Sequence, residues 1–147
     1  MPETTVVLTD RKNIWLSSAA GAVASILADH SLGEATLTRE EAATLSDFND
    51  YLVKAERGLA YKSRNGRHLS FERETVEDLE AMRAVALIGP STAEVKRFLE
   101  GLRTVISGVA EGIKVPLDDL RDYRKQLQLL ARLAAREASN PEASHLL

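Results

Sequence analysis

Apolar residues recur at intervals of three and four along most of this 147-residue chain. This spacing places them on one face of an α-helix, whereas a half-buried strand requires strict alternation. Such stripes lie within residues 42–55, 76–86, 95–109 and 120–134. Together with a segment near the N-terminus, these stripes predict a mostly α-helical protein with about five helices.

Short motifs predict where some of these helices begin and end. Thr38 precedes Glu41 by three residues, and Ser91 precedes Glu94 by the same distance. Each pair is a capping box, in which a hydroxyl and a carboxylate satisfy backbone N–H groups at the helix start. Gly58 is expected to end the helix that Thr38 begins, because glycine readily adopts the conformation that follows a helix C-terminus.

The N-terminal part is expected to form two pieces. Residues 4–8 are β-prone and predict a short strand or an extended arm. Asp10 is expected to cap a helix that runs to about Asp29. This helix is rich in Ala, Ser and Gly, so neighbouring helices can approach it closely.

Residues 59–71 interrupt the helical pattern and are expected to form a β-hairpin. Asn65 and Gly66 lie at the turn, and both residue types tolerate the positive φ values of a type I′ turn. Leu69 and Phe71 alternate with polar residues, as in a half-buried strand. The predicted fold class is therefore mostly α with one β-hairpin: a helix-hairpin-helix unit with extra helices.

We expect residues 1–147 to form one soluble domain. An apolar fraction of 44% is sufficient for a buried core. The longest uncharged run, 13–28, has sixteen residues and is too short to span a bilayer. The expected parts are an N-terminal arm and helix (1–37), the helix-hairpin-helix unit (38–89), two C-terminal helices (91–138) and a tail (139–147).

Basic residues are concentrated on the predicted hairpin. The chain has a net charge of −3 at pH 7, yet residues 54–73 hold six basic residues and two acidic ones. The candidates for contact with DNA or a partner protein are Lys62, Arg64, Arg67 and Arg73. Such a tip can contact a phosphate backbone. The alternative is a solvated turn whose charges keep edge strands from pairing.

The sequence offers little for catalysis or for metal binding. The absence of Cys excludes a thiol nucleophile and every Cys-based metal site. Residues 118–122 match the DDxxD pattern with which helical prenyl-chain enzymes hold magnesium. Three acidic residues just after Pro116 are better explained by their favourable interaction with a helix N-terminus. We expect no enzymatic activity, no metal and no cofactor.

The last helix carries an apolar stripe with two interpretations. Leu120, Tyr123, Leu127 and Leu130 follow the a–d spacing of a coiled coil for two to three heptads. They form either part of the core of one chain, which is the commoner case, or a contact between subunits.

The region of the predicted hairpin resembles the gpW family of phage head–tail joining proteins. The features in common are a turn at 65–67 (Asn-Gly-Arg), a strand end at 69–71 (Leu-Ser-Phe) and a helix start at 75–79 (Thr-Val-Glu-Asp-Leu). The register needs no gap over 59–79, and with the flanking helices the resemblance covers about 45–86. The chain departs from the family in its additional N-terminal helix and in some sixty residues that follow the matched part.

The resemblance implies a structural subunit that has no catalytic activity. Such proteins form a homo-oligomeric ring beneath the portal, prolong the DNA channel and bind the next connector or tail protein. The expected partners are therefore the portal protein and its neighbour, with transient contact to DNA and none to a membrane. The expected location is the head–tail interface of the virion, and the host cytoplasm before assembly.

Two other functions are compatible with the sequence. One is a small helical adaptor or regulatory protein that forms oligomers through its last helix. The other is a weak nucleic-acid binder that uses the basic hairpin.

Overall fold

The computed structural model describes residues 2–31, 36–65 and 76–139, which contain five α-helices. The helices are α1 (Pro2–Ser31), α2 (Arg39–Asn65), α3 (Val76–Ala86), α4 (Thr92–Glu111) and α5 (Leu117–Ser139). None of the residues in these three ranges lies in a β-strand. The prediction of a mostly helical protein with about five helices is confirmed.

The helices pack around one hydrophobic core. α5 runs along α1, while α2 packs against α3 and α4. Trp15 of α1 connects the two groups, because its ring lies 6.3 Å from that of Phe48 and 5.2 Å from that of Tyr51, both on α2. Leucine dominates the fully buried side chains, with Phe48 the largest of them.

α2 and α3 are in direct contact. The Tyr51 hydroxyl donates a hydrogen bond to the Ala81 carbonyl at 3.3 Å, and three residues further along α2 Lys54 Nζ lies 3.0 Å from Glu77 Oε2. The last seven residues of α2, 59–65, extend the helix by about 10 Å beyond Gly58.

The predicted β-hairpin is wrong. Its first arm, 59–65, is the C-terminal part of α2, and Asn65 is the last residue of that helix. Leu59 is buried and continues the stripe of Leu52 and Ala55 at helical spacing. Half of the six residues that follow it within α2, namely Ala60, Lys62 and Arg64, are good helix formers. The second arm and Gly66 lie outside the described residues.

Gly58 does not end α2, as its residue type suggested. It lies inside the helix, where a Cβ atom would be 2.7 Å from the Asp78 carbonyl oxygen and 2.8 Å from Met82 Cβ. Only a residue without a side chain allows α3 to approach this closely. The role of this glycine is therefore in helix packing.

The expected strand or arm at residues 4–8 is also wrong, because these residues belong to α1. The helix begins at Pro2, and proline suits the first turn of a helix because its missing N–H has no intrahelical partner there. The β-branched residues Thr4, Thr5, Val6 and Val7 each lower helix stability only slightly.

Both predicted capping boxes begin helices. Thr38 N donates to Glu41 Oε1 at 2.9 Å and Glu41 N donates to Thr38 Oγ1 at 3.1 Å, so the first box is complete. Ser91 is the N-cap of α4, and its side chain accepts from Glu94 N at 3.2 Å. At the other end of α4, Gly112 has a φ of 73° and accounts for the sharp end of the helix.

The substitution Thr38→Ala is expected to lower the free energy of unfolding by about 1 kcal/mol, because it removes the N-cap acceptor of α2. Thr104→Ala is the matched control, since that hydroxyl bonds a carbonyl within the same helix and caps nothing. Urea denaturation followed by circular dichroism measures both. Equal stabilities of the two variants would contradict the capping role.

Candidate functional site

Two of the basic residues singled out in the sequence lie at the C-terminal end of α2. Lys62 and Arg64 belong to the last two turns of this helix. Arg67 and Arg73 lie outside the described residues, in the connection between α2 and α3. We call residues 59–65 the α2 extension.

Two further basic residues of the same charged segment are engaged within the fold. Lys54 pairs with Glu77 at 3.0 Å, and Arg57 Nη1 lies 3.4 Å from Asp78 Oδ2. Asp78 is almost completely buried, whereas Arg57 remains about half exposed. These contacts fix the base of the α2 extension against the first turn of α3.

The electrostatics of this contact favour the ionised carboxylate of Glu77. The hydrogen bond and positive charge of Lys54, together with the charge of Lys12, lower the pKa of Glu77. The pair is largely exposed, and exposed pairs of this type contribute at most about 1 kcal/mol. The main effect of the Lys54–Glu77 pair is therefore to orient α2 relative to α3.

The candidate subunit-contact residues of α5 lie mostly inside the chain. Leu120, Leu127 and Leu130 are each at most 3% exposed and belong to the common core. Tyr123 is partly buried, with its ring 6.1 Å from that of Phe98 on α4. The fold therefore uses the leucines of this stripe for intramolecular packing.

The acidic run at the start of α5 is solvated. Asp118, Asp119 and Asp122 are exposed, and the first two lie in the first turn, where negative charge stabilises a helix. Asp122 accepts a hydrogen bond from Gln126 Nε2 at 3.0 Å. Across the described part of the chain, no group of three or more His, Asp or Glu residues is arranged to hold a metal ion.

A groove that the sequence did not reveal lies beside the turn between α4 and α5. Its volume is about 620 Å³, and charged side chains of α4, of the turn and of α5 line it: Glu100, Arg103, Glu111, Lys114 and Asp119. The turn folds back on α4 because Gly108 has no side chain, since a Cβ there would be 2.8 Å from Val115 Cγ2. Ile113 is exposed in the lining, and Leu117 is exposed nearby. The run Gly-Ile-Lys-Val-Pro at 112–116 is the sequence signal for it.

The aromatic cluster of Trp15, Phe48 and Tyr51 contains a tyrosine hydroxyl, that of Tyr51, whose pKa is strongly shifted. Burial, and after it the negative charge of Glu80, raises the pKa of Tyr51 far above its ordinary value. Its hydroxyl donates to Ala81 O at 3.3 Å. The group acts as a buried hydrogen-bond donor between α2 and α3.

This raised pKa predicts a loss of stability at alkaline pH. The contribution of the protonated phenol is complete below about pH 10, the ordinary tyrosine pKa, and is lost as pH rises towards the folded-state value. Tyr51→Phe cannot ionise, so its stability should fall less above pH ~10 than that of the unmodified chain. Urea denaturation at neutral and alkaline pH measures the difference. Parallel decreases for the two proteins would contradict the assignment to Tyr51.

Comparison with family models, with curated proteins and with solved structures finds no match to this chain. Within the described residues, no helix has both the length and the apolar character required to cross a bilayer.

Proposed function

We propose that this chain is a non-catalytic helical adaptor, and that it is a head–tail connector subunit of a tailed phage or phage-like particle. In this function it forms a ring between the portal and the tail. Its location is the virion, with the host cytoplasm as its location before assembly. The proposal rests on residues 45–86, where the resemblance to the gpW family coincides with two packed helices, α2 and α3.

The observation that carries the proposal is the contact between α2 and α3. Gly58 allows the helices to touch, and two ion pairs fix their relative position. A rigid pair of this kind holds the base of the α2 extension in a fixed position. An element fixed in this way is suited to binding a larger partner, because binding residues are commonly positioned by a rigid scaffold.

The absence of a hairpin arm at 59–65 changes the form of the contact. A ring subunit of the gpW type would present a β-hairpin, whereas here a basic helix end leads into the segment 66–75. Lys62 and Arg64 are therefore carried by a helix whose base is fixed to α3. A positive end on an acidic chain is compatible with a channel through which DNA slides, since DNA must not be held tightly.

The surroundings of the acidic residues support a non-catalytic function. Asp118, Asp119 and Asp122 are exposed and have the environment of ordinary helix-terminal residues. The buried carboxylate of Asp78 is engaged with Arg57 at the contact between α2 and α3.

The test is binding to the portal protein encoded in the same genome. The purified chain is mixed with that portal, and native mass spectrometry and electron microscopy determine whether a ring of this chain is added. A ring on the portal supports the proposal. A genome without a portal gene, or a chain that remains free of the portal as a stable small oligomer, contradicts it.

A matched pair of variants connects the test to the α2 extension. The first replaces the four candidate contact residues by serine, and the control replaces four exposed basic residues elsewhere by serine. The residues are Lys62, Arg64, Arg67 and Arg73 in the first variant and Lys96, Arg97, Arg121 and Lys125 in the control. Loss of portal binding in the first variant alone identifies this end of the molecule as the contact.

Direct DNA binding is a second candidate function, favoured by the concentration of positive charge at the end of α2. Arg64→Ala combined with Arg67→Ala is expected to weaken DNA binding uniformly across sequences. Each phosphate contact that is lost should lower the slope of log K against log salt by about 1. Fluorescence anisotropy over a salt series measures this. An unchanged affinity and slope would exclude phosphate contacts by these residues.

A further inference from the structure

One face of α1 remains exposed, although the ring of Trp15 at its edge also packs against Phe48 and Tyr51 of α2. Its residues follow each other at alternating spacings of four and three, and all of them are exposed. They are Arg11, Trp15, Ser18, Ala22, Ser25 and Asp29. We call this set the outer face of α1. The opposite side of the helix packs against α5 and the core through residues such as Leu16, Val23 and Leu27.

The outer face has an unusual composition for a solvated helix surface. No charged residue lies between Arg11 and Asp29 on this face, a distance of about 27 Å or five helical turns. Ile14 beside it is 59% exposed and Trp15 is 37% exposed. The exposed side of an amphipathic helix ordinarily carries charged and polar residues. A face with apolar residues and only small polar ones between two charges is suited to contact with another protein.

We infer that the outer face of α1 pairs with the same face of a second copy, with the two helices antiparallel about a twofold axis near Ala20. In this register Arg11 lies opposite Asp29 of the other copy, which gives two symmetric pairs of opposite charge. Trp15 lies opposite Ser25 of the other copy, a large residue against a small one. Ser18 lies opposite Ala22, where two small residues let the backbones approach.

The parallel arrangement lacks this complementarity. It would bring Arg11 against Arg11, Trp15 against Trp15 and Asp29 against Asp29. Like charges at both ends oppose association in that arrangement. The charges therefore favour the antiparallel pair.

The two charged residues at the ends of the outer face also favour a second copy of the chain as the binding partner. Arg11 and Asp29 are exposed, and neither joins an ion pair within the part of the chain that the structure describes. A contact made by one helix per copy is small relative to a standard interface of about 800 Å² per partner, so the dimer should dissociate on dilution. A twofold contact also closes on itself, so a connector ring needs a different surface. The inference is thus independent of the proposed function.

The first test is the molar mass of the full chain as a function of concentration, by sedimentation velocity. The unmodified chain should pass from monomer to dimer, and Ala22→Glu should remain a monomer because it places a charge at the centre of the contact. Ala110→Glu, at an exposed position of α4, is the control and should still dimerise. A monomer at every concentration, or equal effects of the two substitutions, overturns the inference.

The second test uses the terminal charges. Asp29→Arg should raise the dissociation constant about tenfold, because each attractive pair becomes a repulsive one. Arg11→Asp combined with Asp29→Arg restores opposite charges across the twofold axis and should recover the affinity. The loss of affinity caused by Asp29→Arg should also be smaller at high salt, because salt screens exposed charges. If the double variant dimerises as weakly as Asp29→Arg alone, Arg11 and Asp29 are not opposite each other and the inference is overturned.

The third test identifies the orientation directly, since the chain has no Cys of its own. Chains with Ser18→Cys and chains with Ala22→Cys are mixed and oxidised under mild conditions. The antiparallel pair forms a disulfide between unlike chains faster than between like chains. Faster bonding between two Ser18→Cys chains indicates a parallel pair and overturns the proposal.

Discussion

Phe48→Ala is expected to lower the free energy of unfolding by about 3–5 kcal/mol, the range for removing a large buried aromatic side chain. Phe48 is completely buried, and its ring lies 6.3 Å from Trp15 and 6.0 Å from Tyr51. The substitution leaves a cavity between α1 and α2 and also removes two aromatic contacts. It therefore weakens the connection between the two groups of helices.

The change in the free energy of unfolding can be measured by denaturation, followed by circular dichroism and by the fluorescence of Trp15, the single tryptophan of the chain. Leu129→Ala is the control, because that side chain is 37% exposed on α5 and should cost about 1 kcal/mol or less. A loss below about 1 kcal/mol for Phe48→Ala would contradict the central position of this ring.

Gly58→Ala is expected to destabilise the protein by about 2 kcal/mol, through overpacking of the contact between α2 and α3. The new Cβ would meet the Asp78 carbonyl oxygen at 2.7 Å and Met82 Cβ at 2.8 Å. Both atoms belong to the backbone or lie next to it, so α3 must shift as a unit. This cost exceeds the gain of about 1 kcal/mol that alanine provides in a helix.

Gly21→Ala is the matched control, since a Cβ at that helical position has no neighbouring atom within 4 Å. Only the gain in helix propensity remains there, and the variant should be more stable by about 0.5–1 kcal/mol. Chemical denaturation of both variants under the same conditions provides the comparison. If Gly58→Ala were also stabilising, the helices would not meet at Gly58.

The helical elements could be predicted because the signals for them are local. The stripe of Leu45, Phe48, Leu52 and Ala55 is fully buried, as its spacing requires. Thr38 forms the reciprocal hydrogen bonds that a capping box implies. A period of 3.6 residues and a cap each act within a few residues, so no tertiary information is needed.

The hairpin could not be excluded from the sequence because its signals are compatible with two structures. Leu59 and Tyr61 alternate with other residues as in a strand, yet Leu59 also follows Ala55 by one helical turn. Burial of Leu59 against the core favours the helix. Asn65, the first residue of the Asn-Gly pair, is then the last residue of α2. Tertiary packing overrides local turn preference here.

The candidate sites depended even more on tertiary structure. The spacing of Leu120, Leu127 and Leu130 predicts an apolar face, but it cannot indicate whether the partner is α1 or another chain. The close approach at Gly58 and the groove near Gly108 depend on how consecutive helices pack against each other, which no local sequence pattern specifies. The outer face of α1 becomes visible only once the buried side of that helix is known.

The most direct test of the connector function is quantitative mass spectrometry of purified particles produced by the same genome. The account predicts this chain in the particle at a copy number near that of the portal protein, and in neck-containing fractions after the tail is removed. A chain that is abundant in the producing cells but absent from purified particles would contradict it.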